Sequence, residues 1–258
     1  MFNKKIIVIL VVILLFILIN SLKKYEKFEN QNKLAVIVPL RDREEHLKQF
    51  LKNMVPILKH QNINYKIFIV EQVQGKRFNK SKINNAGFLE IQKKYPQYDR
   101  FLFNDVDNFP INKDTINFNT PLRGIHHFFG HTFCLGGFFM LRKNDFNKIN
   151  GYPNDYWGWG GEDVDIQHRA KILGVEIVRD KFIDRNKNGT LKLISDHITK
   201  NEETKRKNRP NSDKLKKNIV KYKNNPSIIG LNGLNNCDYK VLKTEDYAKN
   251  IERILIDI

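Results

Sequence analysis

The chain has 258 residues, of which 41% are hydrophobic, and its formal net charge of +17 comes from 45 basic and 28 acidic residues. This length and apolar content are enough for one sizeable core, or for one domain with an appendage, and they exclude a disordered protein. The positive charge favours ligands that carry phosphate, nucleic acid or an anionic membrane surface. Because no zinc finger or RNP-like motif accompanies the charge, we predict no nucleic-acid partner.

The N-terminal region contains an unbroken apolar run from Ile6 to Ile19 with lysines on both sides. A helix that spans a membrane needs about 20 apolar residues, although about 17 suffice. No small-residue cleavage motif follows the run, so we predict an uncleaved signal anchor over residues 1–22 and a short polar stem over residues 23–33. A cleaved signal peptide remains the alternative.

From residue 34 onward, strand-like and helix-like segments alternate along the chain. Short runs rich in β-branched residues predict buried strands, and apolar residues at helical spacing predict the helices between them. This order predicts an α/β domain with a mostly parallel central sheet, whose ligands bind at the carboxyl ends of the strands. The predicted strands and helices are, in chain order, residues 34–40, 43–59, 65–72, 78–95 and 100–110.

The third predicted strand ends in the acidic sequence NDVDNFP, which contains Asp105 and Asp107. Alternate side chains of an extended backbone point to opposite faces, so one carboxylate can coordinate a divalent ion while the other contacts the ligand. Aspartates at strand ends are also common in turns. The upstream Arg41 and Arg43 can pair with phosphate oxygens, which favours the functional interpretation.

Residues 151–174, GYPNDYWGWGGEDVDIQHRAKILG, place tryptophans and glycines before an acidic cluster and a predicted helix. The glycines allow tight turns that leave the indole rings available to pack on the apolar faces of a sugar. Glu162, Asp163 and Asp165 stabilise the N-terminus of a helix, which is a purely structural interpretation. A carboxylate beside an aromatic surface also suits a general base that acts on a bound hydroxyl group.

The segment from Lys200 to Lys223 holds ten basic residues and three acidic ones. One interpretation is a solvated loop in a chain that is rich in lysine throughout. The other is a lid that helps to hold a diphosphate. Charge alone does not decide between them.

Several sequence blocks resemble the β-1,4-galactosyltransferase family, glycosyltransferase family 7: VPLRDREEHL, FNKSKINNAGF, FNDVDNFP and GGFFMLRKNDFNKINGYPNDYWGWGGEDVDI. The tail, GLNGLNNCDYKVL with RILIDI, is similar to the C-terminal strands of that family. The resemblance covers about residues 34–258, and WGWGGED is its most specific element. It implies a GT-A-type nucleotide-sugar-binding fold and a metal-dependent, inverting glycosyltransferase that uses Mn²⁺ and a UDP-sugar.

The resemblance also implies roles for individual residues. Asp163 would deprotonate the acceptor hydroxyl group, and Glu162 would contact the donor sugar. Asp107 and His197 would bind the metal ion. The nucleotide and donor site would be lined by Pro39, Leu40, Arg41, Arg43, Phe78, Lys80, Asp105, Val106, Gly137 and Trp159.

Two positions near the implied site depart from the family pattern. His197 precedes the family's mobile lid, at about residues 198–215, but the usual methionine ligand three residues earlier is Ile194 here. Asp196 or water would have to replace that ligand. Val164 replaces an acidic residue that contacts the acceptor. A sugar-binding protein that has lost catalysis is therefore an alternative.

Cys134 stands where galactosyltransferases carry a tyrosine close to the C2 substituent of the donor. The smaller side chain leaves room for an N-acetyl group, so UDP-GalNAc is an alternative donor. His131 replaces a tyrosine of the acceptor cleft, and we expect it, His126 and His127 to line the cleft or the surface rather than to bind metal. Cys134 and Cys237 form either a disulfide or two free thiols.

The resemblance implies a UDP-sugar hexosyltransferase that moves galactose from UDP-galactose to a sugar hydroxyl group in a β-1,4 linkage. The expected partners are UDP-Gal or UDP-GalNAc, a glycan acceptor that ends in GlcNAc or another sugar, and a membrane that holds the N-terminal helix. The resemblance implies a single-pass type II membrane protein, with a lumenal catalytic domain of the Golgi type in a eukaryote.

Overall fold

The structure is a computed structural model that describes residues 11–21, 33–185, 191–193 and 209–258. Residues 11–21 form a helix, α1, whose side chains are exposed. Within the described ranges, no helix is both long and apolar enough to cross a bilayer. Most of the predicted anchor and stem falls outside these ranges, and both stay predictions.

The first elements after residue 33 follow the predicted alternation. They are β1 (Leu34–Leu40), α2 (Glu44–His60), β2 (Tyr65–Gln72), α3 (Lys80–Lys94) and β3 (Arg100–Asn104). The described residues also include 3₁₀ helices at Pro226–Leu231 and Leu234–Asn236, and the remaining strands and helices extend the α/β order. They are β4 (Asn108–Pro110), β5 (Ile125–Gly130), β6 (Phe138–Arg142), α4 (Lys143–Lys148), α5 (Glu162–Ile172), β7 (Ile177–Val178), β8 (Ile183–Asp184), β9 (Leu191–Leu193), α6 (Arg209–Asn224), β10 (Lys240–Ala248) and β11 (Ile251–Asp257).

The described strands of the central sheet have the order β10-β11-β2-β1-β3-β6-β5-β7, and β8 pairs with β5. The pairs β11–β2, β2–β1 and β1–β3 are parallel. The predicted parallel pairing holds for most described pairs, including β5–β7 and β5–β8, but β6 runs antiparallel to both β3 and β5, and β10 runs antiparallel to β11. A short connection between β5 and β6 reverses the chain, whereas a parallel pair would need a longer crossover. The sheet is therefore mixed.

Both faces of the sheet are covered by helices. Alternate residues of β1 face opposite sides, so Val36 packs with Phe50 of α2, while Ile37 packs with Phe88 of α3. All residues of β1 are buried. This two-sided burial explains why the strand reads as an unbroken apolar run in the sequence.

The predicted third strand is broken at its acidic positions. Asn104 Nδ2 donates hydrogen bonds of 2.8 Å to the carbonyl oxygens of Asp105 and Asn108. This turn ends β3 and starts β4, which pairs with β9 in a separate small sheet. Asp105 and Asp107 consequently lie at the carboxyl end of β3, as predicted, but in a turn rather than within a strand.

A fully buried ion pair connects α5 to α6. Arg169 Nε lies 3.1 Å from Asp165 Oδ1, and both side chains have no exposed surface. Tyr156 Oη and Asn218 Nδ2 donate hydrogen bonds of 2.8 Å and 3.0 Å to the other carboxylate oxygen, Oδ2. The pair is thus satisfied by partners from two helices and from the loop before α5.

We expect Arg169→Met to lower the free energy of unfolding by about 3–5 kcal/mol, because the Asp165 carboxylate would stay buried without its cation. Arg123→Met is the matched control, since Arg123 pairs with Asp180 on the surface, and it should leave stability nearly unchanged. Urea denaturation followed by circular dichroism measures both effects. Equal losses in the two variants would contradict a structural role for the buried pair.

Candidate active site

The candidate site lies where the sheet presents the carboxyl ends of its parallel strands. Arg41 and Arg43 follow β1, and Asp105 and Asp107 follow β3. The N-termini of α3 and α5 reach the same edge, which is the expected place for a ligand in an open α/β sheet.

The ammonium group of Lys80, which is largely buried, brings three carboxylates together. Lys80 Nζ lies 3.2 Å from Asp105 Oδ1, 3.3 Å from Glu162 Oε1 and 2.8 Å from Asp163 Oδ1. The structure therefore places both predicted catalytic residues and the first aspartate of the NDVD motif around one cation. Glu162 Oε2 is buried and has no hydrogen-bond partner among the described residues.

The start of α3 sets the position of Lys80. Asn79 caps the helix, since its Oδ1 accepts a hydrogen bond of 2.9 Å from the backbone N–H of Lys82. The Asn79 backbone N–H donates to Gln72 Oε1 at 2.8 Å, and its side chain donates to the Asn154 carbonyl at 2.7 Å. Asn79 is thus joined to β2 and to the loop before α5, so the first residue of the helix is held in place.

Glycines shape the loop that carries the tryptophans, as the sequence predicts. Gly161 immediately precedes α5 with a φ of 97°, and a Cβ atom there would lie 2.5 Å from the Tyr156 ring. The loop separates the two indole rings, because Trp157 packs against the core while Trp159 is 59% exposed. Within this loop, Trp159 is thus the indole available to a ligand.

The acidic cluster at the start of α5 does not act as one unit. Glu162 and Asp163 face Lys80, whereas Asp165 is fully buried against Arg169. Residues two positions apart lie on different faces of a helix, so Asp165 cannot share the direction of Asp163. The general-base interpretation survives for Asp163, and a structural role holds for Asp165.

The buried setting shifts the proton affinities of this cluster. Burial and the nearby carboxylates Glu162 and Asp105 raise the pKa of Asp163 to about 8, while Lys80 opposes that shift. Burial opposes the charge on Lys80, but the surrounding carboxylates outweigh burial and raise the pKa of Lys80 well above its ordinary value. Burial and Asp105 raise the pKa of Asp107, and Arg43 opposes them.

Some residues predicted to line the nucleotide site place side chains near this cluster, and others can offer a ligand only backbone atoms. Arg43 Nη1 donates to Asp107 Oδ2 at 3.2 Å, and the Arg41 guanidinium lies 5.3 Å from the centre of the Phe78 ring. Pro39, Leu40 and Val106 are buried, so they can offer a ligand little beyond backbone atoms. Gly137 contacts the cluster directly, since its N–H donates to Asp105 Oδ2 at 3.2 Å.

The described part of the chain contains no group of three side chains arranged to hold a metal ion. It does contain hard oxygen donors, because Asp105 and Asp107 stand together and Oδ1 of both Asn104 and Asn108 is buried without a partner among the described residues. Carboxylate and amide oxygens suit Mn²⁺. The predicted ligand His197, with Ile194, Asp196 and lid residues 198–208, lies outside the described residues.

The histidine prediction is wrong for two residues. His126 and His127 are buried in β5, rather than lining the cleft or the surface, because the strand lies inside the sheet with both faces covered. His131 instead stacks on the exposed ring of Phe133, with ring centres 5.1 Å apart. Cys134 and Cys237 are free thiols, and burial raises the pKa of Cys134 to about 11.

Three hydrogen bonds around the site were not predicted from the sequence. The backbone N–H of Leu135 donates to the Asp163 carbonyl at 2.9 Å, and Asn211 Nδ2 donates to the carbonyls of Trp157 and Trp159 at 3.1 Å and 3.3 Å. Asn211 belongs to the basic segment that was interpreted as a lid or a solvated loop. In the structure, Asn211 lies in the first turn of α6. No local pattern indicates its partners, since they lie more than 50 residues earlier.

Comparison with known proteins agrees with this geometry. Residues 20–119 match the model of the N-terminal region of glycosyl transferase group 7, and residues 125–192 match the model described as the N-terminal domain of galactosyltransferase. The chain belongs to the group 7 glycosyltransferase family. The family expectation from the sequence blocks is confirmed.

Curated relatives of this group 7 chain are β-1,4-galactosyltransferases. It is 33% identical over 244 residues to β-1,4-galactosyltransferase 1 of Bos taurus, covering 88% of the chain and 54% of the relative. It is also 33% identical over 227 residues to β-1,4-galactosyltransferase 2 of Homo sapiens, covering 81% of the chain and 55% of the relative. The chain thus spans about half the length of these relatives.

Solved structures show the same fold. The catalytic domain of Drosophila β-1,4-galactosyltransferase 7, solved with xylobiose, superposes with a TM-score of 0.66 at 26% identity and covers 88% of this chain and 94% of that one. A mutant of that enzyme, solved with manganese, UDP-Gal and xylobiose, gives the same values. The predicted GT-A-like α/β fold is confirmed, with the mixed sheet described above.

Lys80→Met should raise the pKa of Asp163 beyond about 8, because the variant removes the cation that favours the ionised carboxylate. Carboxyl ¹³C NMR titration of aspartate-labelled protein measures this pKa, with the Asp163 signal identified by its loss in Asp163→Asn. Lys66→Met, which removes the ammonium group 2.7 Å from Glu252 in a separate cluster, should leave the midpoint unchanged. A midpoint that stays constant or falls in Lys80→Met would refute the assigned charge balance.

Proposed function

We propose that this group 7 protein is an inverting, metal-dependent glycosyltransferase that moves galactose from UDP-galactose to a sugar hydroxyl group in a β-1,4 linkage. The observation that carries the proposal is the cluster in which Lys80 joins Asp163 and Glu162 of α5 to Asp105 in the turn after β3. The names of the relatives and the UDP-Gal in the Drosophila complex support the choice of donor.

Asp163 is the proposed general base. Its carboxyl group lies beside the sheet edge where the sugar donor binds in this proposal, and a pKa of about 8 gives its ionised form a high affinity for a proton. It takes the proton of the acceptor hydroxyl group as that oxygen forms a bond to the anomeric carbon, on the face opposite the departing UDP. One displacement inverts the configuration, so the reaction needs no covalent intermediate on the protein.

Glu162 and Trp159 are proposed to hold the sugars around the base. Glu162 Oε2, buried and without a partner among the residues described, can accept a hydrogen bond from a donor-sugar hydroxyl group. Trp159 presents an exposed ring at the mouth of the same loop. Its position next to α5 allows it to contact donor and acceptor together.

The diphosphate is proposed to lie between the arginines after β1 and the turn after β3. Arg41 and Arg43 supply guanidinium groups that match phosphate oxygens. Phe78, under Arg41, offers a flat surface for the nucleobase or the ribose of UDP. Asp107, with Asp105 beside it and with His197 from outside the described residues, would hold Mn²⁺. A bound Mn²⁺ neutralises the charge that develops on the leaving diphosphate.

A second donor is favoured by one observation. Cys134 lies in the turn that contacts Asp163, and its Sγ is 3.5 Å from the position of a Cβ atom on Gly136. Burial raises the pKa of this thiol to about 11, so a small neutral side chain borders the base. Cysteine is smaller than the tyrosine that galactosyltransferases carry at this position, and UDP-GalNAc is therefore proposed as the alternative donor.

UDP release should be measured with UDP-Gal, UDP-GalNAc and UDP-Glc, each with and without Mn²⁺, over a panel of sugar acceptors. We expect Mn²⁺-dependent turnover, and we expect Asp163→Asn to lower kcat by about 10²–10⁴-fold with UDP affinity retained. Asp99→Asn is the matched control, because Asp99 pairs with Arg142 at the opposite end of β3.

Each outcome of this assay has a separate meaning. Faster turnover of UDP-GalNAc would select the alternative donor. Binding of UDP-sugars without turnover by the wild type would indicate a sugar-binding protein that has lost catalysis. Normal turnover by Asp163→Asn would remove this residue from the role of base.

We also propose that the N-terminal apolar run anchors the protein in a membrane as a single-pass type II protein, with a lumenal domain of the Golgi type in a eukaryotic cell. The run from Ile6 to Ile19 supports this, as do the exposed apolar side chains of α1. The acceptor is proposed to be a glycan that ends in GlcNAc or another sugar.

The anchor can be tested by expressing the full chain and a variant with Leu14 and Ile17 replaced by lysine. The full chain should stay in the membrane pellet after alkaline carbonate extraction, and the double variant should move largely to the supernatant, because each lysine opposes insertion by roughly 3 kcal/mol. Release of the unmodified full chain by carbonate would refute the anchor. A protein that has lost its N-terminal segment and still stays in the pellet would also refute the anchor.

A further inference from the structure

His127 occupies an unusual place for a histidine, because it is 1% exposed inside the central sheet and yet makes two polar contacts. Arg179 Nε donates a hydrogen bond of 3.1 Å to His127 Nδ1. Since an arginine N–H can only donate, Nδ1 must be the acceptor, and the ring proton of the neutral imidazole must be on Nε2. Nε2 lies 2.9 Å from the Gly136 carbonyl oxygen and donates to it.

Gly136 belongs to the turn that contacts the proposed base. The Leu135 N–H donates to the Asp163 carbonyl at 2.9 Å, and a Cβ atom on Gly136 would lie 2.9 Å from Asp163 Oδ2. The next residue, Gly137, exchanges backbone and side-chain hydrogen bonds with Asp105 at 3.0 Å and 3.2 Å. The turn therefore contacts two of the three carboxylates that surround Lys80, those of Asp163 and Asp105.

The second contact of Arg179 returns to the helix that carries the base. Arg179 Nη2 donates to Gln167 Oε1 at 2.6 Å, and Gln167 Nε2 donates to the Thr132 carbonyl at 3.4 Å. Gln167 is one helical turn after Asp163 on α5. The contacts form a closed ring that runs from Asp163 through the turn, His127, Arg179 and Gln167 back to α5.

We propose that His127 and Arg179 are positioning residues that hold the Gly136 turn against Asp163, so that the base keeps its direction toward the acceptor hydroxyl group. This inference rests on the proposed function. The two residues touch neither donor nor acceptor in this scheme, and they act through the Gly136 carbonyl group.

The chemistry of the ring explains why a histidine is needed there. A phenylalanine would fill the same space beside Phe182, whose ring centre is 4.8 Å from that of His127, but it would leave an arginine N–H and a buried carbonyl group unpaired. Burial lowers the pKa of His127 to about 4, so the ring is neutral and its Nδ1 lone pair is available to Arg179.

The test compares His127→Phe with His126→Phe, a buried histidine at the neighbouring position of β5 that makes no contact with the Gly136 turn among the described residues. We expect His127→Phe to lower kcat at least tenfold, with the KM for donor and the Kd for UDP changed less than twofold. His127→Gln should recover a substantial part of kcat, because its amide nitrogen can donate to the Gly136 carbonyl. Arg179→Met should resemble His127→Phe.

An equal loss of kcat in His126→Phe, or a parallel loss of UDP affinity, would overturn the positioning role. Thermal unfolding of each variant separates a loss of fold from a loss of alignment. If His127→Phe does not fold, Arg179→Met and His127→Gln still provide the comparison.

Imidazole ¹⁵N NMR tests the ring without any need for turnover. The His127 signal, identified by its loss in His127→Gln, should show the neutral Nε2–H tautomer from pH 8 down to pH 5 or below, since its pKa is about 4. In Arg179→Met, the imidazole of His127 should no longer be restricted to the Nε2–H tautomer. An Nδ1–H tautomer or a charged imidazole at pH 7 would overturn the inference. If the wild type showed the expected tautomer but no turnover, the proposed function would be overturned, and the contacts of His127 would still be established.

Discussion

The buried ammonium group of Lys80 is the interaction on which the candidate site depends. It holds together Asp105, Glu162 and Asp163, carboxylates from two elements that would otherwise repel one another. Three carboxylates around one cation leave an excess of negative charge at this partly exposed edge of the sheet. Such a place favours a further cation, and it gives the Asp163 carboxyl group the proton affinity of a general base.

The fold keeps these like charges together by fixing the backbone around them. Asn79 caps the helix that carries Lys80, Asn104 closes the turn after β3, and Gly161 allows the chain to enter α5 at the required angle. None of these contacts uses the charges themselves. The positions of the ionised groups are therefore set by polar contacts of the backbone, and the charges remain available to a ligand.

A second layer of contacts supports the first. Asn211 joins the start of α6 to the loop of Trp159, and the buried pair of Asp165 and Arg169 joins α6 to α5. On the other side, the ring through His127 braces the Gly136 turn. The basic segment from Lys200 to Lys223 is thus partly structural, because its described portion is a helix that holds the loop of Trp159. Charge composition alone could not distinguish this role from that of a lid.

The sequence by itself determined the alternation from β1 to β3, the placement of Asp105 and Asp107 at a strand end, and the need for glycine in the aromatic loop. These features depend on local periodicity and backbone sterics, which neighbouring residues are enough to specify. Only the tertiary structure decided that the sheet is mixed, that Asp165 turns into the core, that His127 is buried against a distant carbonyl group, and that Lys80 joins a carboxylate of the turn after β3 to those of α5. Those outcomes depend on contacts between residues far apart in the chain, and such contacts exist only after the layers have packed.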